Sequence, residues 1–163
     1  MDVIGLGSCW EELSVGQKYR SVGRTISETD LMAFLGLTGM NEVIFTDDEF
    51  RAEHSVIKEK FCPGALAYTI AEGLLIPTMQ GTGMAFLNME LNMEGPCFVG
   101  DTIYVEAEVL EVRESSKGGY GIVRTKNTVK KTDGSVILTY TPLRMLKGRA
   151  KRDEVAKSIL ARP

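Results

Sequence analysis

Histidine is nearly absent from this chain: His54 is the only one in 163 residues. A single histidine is too few for a typical zinc cluster, and any imidazole-based mechanism would have to use it. Cysteine is almost as scarce. Cys9, Cys62 and Cys97 are odd in number and widely spaced, with no CxxC pair, so no metal site is expected. No apolar run approaches the about 20 residues of a membrane span. No basic segment followed by a long apolar run opens the chain, so the expected location is a reducing cytoplasm. Gly5-Leu6-Gly7 precedes any strand and lacks a third spaced glycine, which excludes a dinucleotide-binding fingerprint. The net charge is only −3, so the molecule has no bulk attraction to nucleic acid or to an anionic membrane. Internal repeats, low-complexity tracts and linkers are also missing.

What is present is the balance of an ordinary globule, with 44% apolar and 25% charged residues, enough to bury a core. The length fits a single domain over residues 1–163, with a core from about 10 to 146 and a basic tail over 147–163. That tail carries +4 and the remainder −7, a pattern that suits a solvated helix or a phosphate-docking segment.

Hydrophobic spacing predicts the elements. Tyr19 to Ile26 reads as a strand. Ser27 and Asp30 have capping-box-like spacing ahead of a short helix with Leu31, Phe34, Leu35 and Leu37 on its apolar side. Thr46-Asp47-Asp48-Glu49 repeats the helix-start signal. Pro63-Gly64 opens a helix that stays apolar almost all round through Ile76, which predicts burial in the domain, and Pro77 closes it. Met84–Met93 is strand-like. Asp101–Arg113 alternates, with Ile103, Val105, Ala107 and Val109 on one face. Tyr120–Lys131 follows, then the hairpin signal Asp133-Gly134 and a last strand over Ser135–Leu146. The order gives an α+β class.

The stretch Leu37-Thr38-Gly39-Met40-Asn41-Glu42-Val43-Ile44-Phe45-Thr46-Asp47-Asp48-Glu49-Phe50 resembles, without a gap, the signature Ser-Gly-Asp-x-Asn-Pro-(Ile/Leu)-His of the MaoC-like dehydratases. This is the (R)-specific enoyl-CoA hydratase branch of the hot-dog superfamily. The segments Phe61–Leu66 and Glu94–Ile103 resemble the family as well. The resemblance covers about Trp10 to Leu146. It implies a single hot-dog domain, an antiparallel sheet wrapped around one long buried helix, and dimers that join two sheets edge to edge. It also implies an acyl-CoA or acyl-carrier thioester as ligand, with no further cofactor.

The resemblance fails where chemistry is carried. The family's Asp and His hold the water that adds across the double bond; here their positions are Met40 and Phe45, and the Asn and Pro positions are Glu42 and Val43. Neither Met nor Phe moves a proton. The old site has either become apolar packing or been rebuilt around Glu42, Asn41 or His54. An enclosed Glu42 would have a raised pKa suited to acid–base work, and a solvent-facing one would not. The family's thioester-binding amide matches Gly64, with Ala65 beside it, at a helix start whose free N–H groups suit an oxyanion. Cys62 lies two residues before Gly64, where a helix N-terminus can activate a thiol, though the sequence places no base beside it. Glu72, on the buried helix with Tyr68 and Thr69, is a second carboxylate candidate, because some hot-dog thioesterases activate water from the central helix. Lys117, Arg124, Lys126, Lys130, Lys131 and Arg144 are available for phosphates.

Three functions stand: a divergent hydratase or dehydratase; a non-catalytic subunit pairing with a dyad-bearing hot-dog partner, as in heteromeric dehydratases of this type; and a thioesterase using Glu72 or Glu42.

Overall fold

A computed structural model describes residues 1–163. After a short 3-10 turn at Trp10–Glu12, the chain runs β1 (Lys18–Arg20), β2 (Arg24–Thr25), α1 (Glu28–Thr38), α2 (Val43–Thr46), α3 (Asp48–His54) and α4 (Gly64–Met79). It continues through β3 (Gly83–Asn88), β4 (Leu91–Met93), β5 (Thr102–Glu114), β6 (Tyr120–Lys131), β7 (Val136–Tyr140), β8 (Leu143–Lys147) and α5 (Arg149–Leu160). All strand pairs are antiparallel, and eight strands make five rows. β1 and β2 share one side of β5. β6 follows, then β7 and β8 as one row, then β4 and β3 as the far edge.

Three of the five expected strands are therefore broken, each for a local reason. Between β1 and β2 the Ser21 hydroxyl accepts the Val105 amide at 2.9 Å, displacing a ladder bond. Between β7 and β8, Pro142 has no N–H to give the ladder, while the neighbouring Thr141 amide reaches the Glu90 carbonyl at 2.9 Å. Glu90 lies in the gap between β3 and β4, so the two interruptions sit side by side and the sheet bends there.

α1 starts as its sequence requires. The Asp30 amide donates to the Ser27 hydroxyl at 3.1 Å, the Ser27 amide donates to the Asp30 carboxylate at 2.8 Å, and Arg24 closes on the same carboxylate at 2.5 Å. Bonds from Ser27 and then the Arg24 charge hold the Asp30 carboxyl below the usual range. The helix ends on Gly39, whose φ of 71° is the left-handed cap that glycine adopts without strain. Leu31 and Leu35 are buried and Phe34 packs beside them, but Leu37 is 87% exposed: at two residues past Leu35 it has rotated off the core face.

α4 buries Leu66, Ala67, Ile70, Ala71 and Leu75 against the concave face of the sheet, among Ile103, Val105, Val129, Ile137, Leu138 and Tyr140. Two expectations change here. The helix passes through Pro77 to Met79. Proline forfeits one bond, to Gly73, when the helix has a single turn left, and the Thr78 hydroxyl takes the Leu75 carbonyl at 2.7 Å. Nor is the helix enclosed all round. Thr69, Gly73, Ile76 and Pro77 form an exposed stripe, because the sheet wraps it on one side only. Alongside that opening runs β3, all six residues exposed, apolar at Met84, Phe86 and Leu87, and paired on one edge only. An unpaired apolar edge of this kind is a ready template for another strand.

α5, the expected helix of the basic tail, has no fully buried residue. It is tied to the N-terminal segment through Arg152 and Glu12 at 3.0 Å. Trp10 of that segment lies flat against the sheet at Gly121, where an added Cβ would stand 2.2 Å from the indole. Gly121→Ala is expected to lift the indole away and destabilise the fold by about 1–3 kcal/mol in urea unfolding. An unchanged stability would mean that Trp10 does not pack as described.

Candidate functional site

The start of α4 is the natural anchor. Pro63 caps it without a side-chain bond, so the first amides depend on what lies in front of them. Neither the Gly64 nor the Ala65 N–H finds an acceptor in the protein; the first satisfied amide is Leu66, bonded to the Pro63 carbonyl at 2.9 Å. Two adjacent unpaired donors at a helix N-terminus suit an oxygen that gains negative charge. A Cβ at Gly64 would meet the Met93 thioether at 2.6 Å, so any side chain there would have to displace the end of Met93. Met93 ends β4, and its thioether lies against Gly64.

Of the signature residues, Met40 and Phe45 carry no titratable group. Phe45 packs on the core and meets Phe61 edge to face, ring centres 5.3 Å apart. Met40 is 41% exposed beyond the α1 cap. Asn41 and Glu42 are both exposed, and Glu42 caps α2 through its backbone alone, so its carboxylate is not enclosed between Met40 and Phe45. His54 ends α3 with its side chain 54% exposed, against the Phe50 ring and 3.6 Å from the Glu53 carboxylate. None of its hydrogen-bond, ring or ion contacts is with the α4 start. The signature loop is pinned instead by Arg51, only 5% exposed, which donates to the carbonyls of Ile44 and Lys58 and to Asp48 at 2.7 Å. Asp48 is thereby held below its usual range. The sequence offered no cue to Arg51, since a lone arginine on a short helix reads as solvent-facing.

Glu72 is in a different environment. Its carboxylate accepts from the Tyr140 hydroxyl at 2.7 Å and from Arg144 at 2.5 Å, so one helix residue is bolted to both β7 and β8. Tyr68 packs its ring edge on Tyr140 at 5.2 Å. Burial, then the Glu72 charge, push the Tyr140 hydroxyl far above the usual phenol range. Asn127, fully enclosed, lies beside that hydroxyl without a hydrogen bond of normal geometry. Each oxygen of this carboxylate is thus tied to a side chain of the sheet, one to the phenol and the other to the arginine.

A cavity of about 300 Å³ sits between the C-terminal half of α4 and the sheet, lined by Tyr19, Leu75, Met79, Val123, Thr125 and Leu146 among others. Leu75 is eleven residues beyond Gly64, about 16 Å along the helix. Arg144 lines this cavity and also a shallow groove of about 290 Å³ that opens along β3. Cavity and groove were both invisible in the sequence, because they arise where rows from distant parts of the chain bend apart.

A sheet wrapped on one side of a long helix defines the class: the fold is the hot dog. The family profile described as "FAS1-like, dehydratase domain region" matches residues 13–140. The (R)-specific enoyl-CoA hydratase of Aeromonas caviae is 30% identical over 104 residues, 64% of this chain and 76% of that one. The corresponding Rhodospirillum rubrum hydratase is 28% identical over 94 residues, 58% of this chain and 64% of the relative's length, slightly under two thirds. Among solved structures, an Archaeoglobus protein described as a monoamine oxidase regulatory protein is 28% identical with a TM-score of 0.78, over 87% of this chain and 95% of that one. The chain belongs to the MaoC-like hot-dog family of hydratases and dehydratases.

The Glu72 network yields its own test. Glu72→Leu strands Arg144 and Tyr140 and is expected to cost roughly 3 kcal/mol in denaturant unfolding, with Glu72→Leu plus Arg144→Met recovering most of the loss. Equal stability of the single variant and the wild type would show that the pair does not hold the helix to the sheet.

Proposed function

We propose that this chain is an acyl-thioester-binding protomer of the MaoC-like type, using the amides of Gly64 and Ala65 to hold the thioester oxygen. It does not supply the acid–base pair, and it works alongside a hot-dog partner that does. The observation that carries this reading is the surroundings of the α4 start. Two amides there have no acceptor, the positions that the resemblance gives to proton transfer carry Met40 and Phe45, and Glu42 and His54 are exposed. Binding is provided for, and proton transfer is not. The free apolar edge of β3 beside the exposed stripe of α4 supports pairing with a second sheet. Thioester hydrolysis through Glu72 is disfavoured by its engagement with Arg144 and Tyr140.

Enoyl-, 3-hydroxyacyl- and saturated acyl-CoAs incubated with the chain alone should bind without gain or loss of water and without release of free CoA, as read by mass spectrometry. Restoring the pair with Met40→Asp and Phe45→His should then raise enoyl-CoA hydration over the wild-type background by at least about 10²-fold. Turnover by the unmodified chain would refute the non-catalytic assignment. Binding of no thioester by either form would refute the site.

A further inference from the structure

Phe61 and Phe98 form an isolated antiparallel bridge in front of α4. It is flanked by two backbone bonds, Cys62 N–H to the Cys97 carbonyl at 2.7 Å and Val99 N–H to the Lys60 carbonyl at 3.3 Å. That pattern places Cys62 and Cys97 opposite one another, joined by one of the two backbone bonds of a hydrogen-bonded pair, for which Cα atoms stand about 5.5 Å apart. A disulfide takes the same spacing, about 5.5–6 Å. The two side chains leave on one face, and both cysteines are free. Each thiol acts on the other: the Cys62 thiol is drawn below its ordinary range and the Cys97 thiol is pushed up. Both are enclosed, at 4% and 2% exposure, which admits only a small oxidant. Cys9 belongs to neither strand, and burial pushes its thiol up.

The position of the pair gives it a consequence. Cys62 is two residues before Gly64, and Cys97 is four residues after Met93, the side chain that lies against Gly64. We propose that Cys62 and Cys97 form a peroxide-sensitive dithiol whose disulfide locks Met93 over the α4 start and closes the thioester site. The second clause rests on the function proposed above. The Cys62 thiolate attacks hydrogen peroxide, giving a sulfenic acid and hydroxide. The Cys97 sulfur then displaces the sulfenic oxygen, so the S–S bond forms and water leaves. The bond joins the two ends of the segment that contains α4, β3 and β4, closing a long loop in the unfolded chain, so the oxidised form should also unfold at a higher temperature.

The full chain treated with hydrogen peroxide and digested without reduction should yield one Cys62–Cys97 cross-linked peptide, with Cys9 still free. Crotonyl-CoA should then bind about tenfold or more weakly, and dithiothreitol should restore it. That reversal separates the disulfide from methionine oxidation, which dithiothreitol does not undo. Cys97→Ser should abolish both the cross-link and the loss of binding; in the wild type, the rise in melting temperature and its reversal give the same test without a variant. Sulfinic acid on Cys62 with no cross-link overturns the dithiol. A cross-link that leaves crotonyl-CoA binding unchanged overturns the lock. Failure of crotonyl-CoA to bind even the reduced protein overturns the thioester site and with it the lock, while the peptide map still decides the dithiol.

Discussion

Helix α4 can lie against the sheet only because its single charged side chain finds partners there. Glu72 is met by Tyr140 from β7 and Arg144 from β8, at 2.7 and 2.5 Å. Stripped of them, a carboxylate in that position would oppose the burial of Leu66, Ile70 and Leu75 on either side of it. The arrangement also fixes how far along the sheet the helix can sit, because two strands separated by the Thr141-Pro142 interruption must reach one residue. Everything forward of that bolt, including the direction of the Gly64 and Ala65 amides, inherits its placement.

The fold was legible where physics is local. Ser27 and Asp30 announced a cap that formed through both reciprocal bonds, Pro63-Gly64 announced the start of α4, and alternation over Asp101–Arg113 gave the buried face of β5. It was less legible where the outcome depends on what lies across a gap. Pro77 looked like a stop, but only one turn remained for it to disrupt. The all-round apolar character of α4 looked like enclosure, yet the sheet covers it on one side only, and the excess belongs to an open flank beside β3.

The same division runs through the site. That Met40 and Phe45 cannot transfer a proton can be read from the residues alone, since no environment makes a thioether or a phenyl ring titrate. Whether Glu42 or His54 takes over could not be read, because that turns on the path of two short helices set by Arg51, a residue whose role exists only once the carbonyls of Ile44 and Lys58 converge on it. The pairing of Cys62 with Cys97 was hidden for a related reason: thirty-five positions separate them in the chain, and a single bridge of phenylalanines brings them face to face.

Trp10, seated on Gly121, is the only tryptophan in the chain. Its indole therefore emits from the junction between the N-terminal segment and the outer end of the sheet, well away from the start of α4. Fluorescence will follow the undocking of that segment, whereas far-ultraviolet circular dichroism will follow helix and sheet. Coincident curves from the two would establish that the leading segment is an integral part of one cooperative unit. An early fluorescence transition would identify it as a detachable clasp, with Arg152 and Glu12 as its fastening.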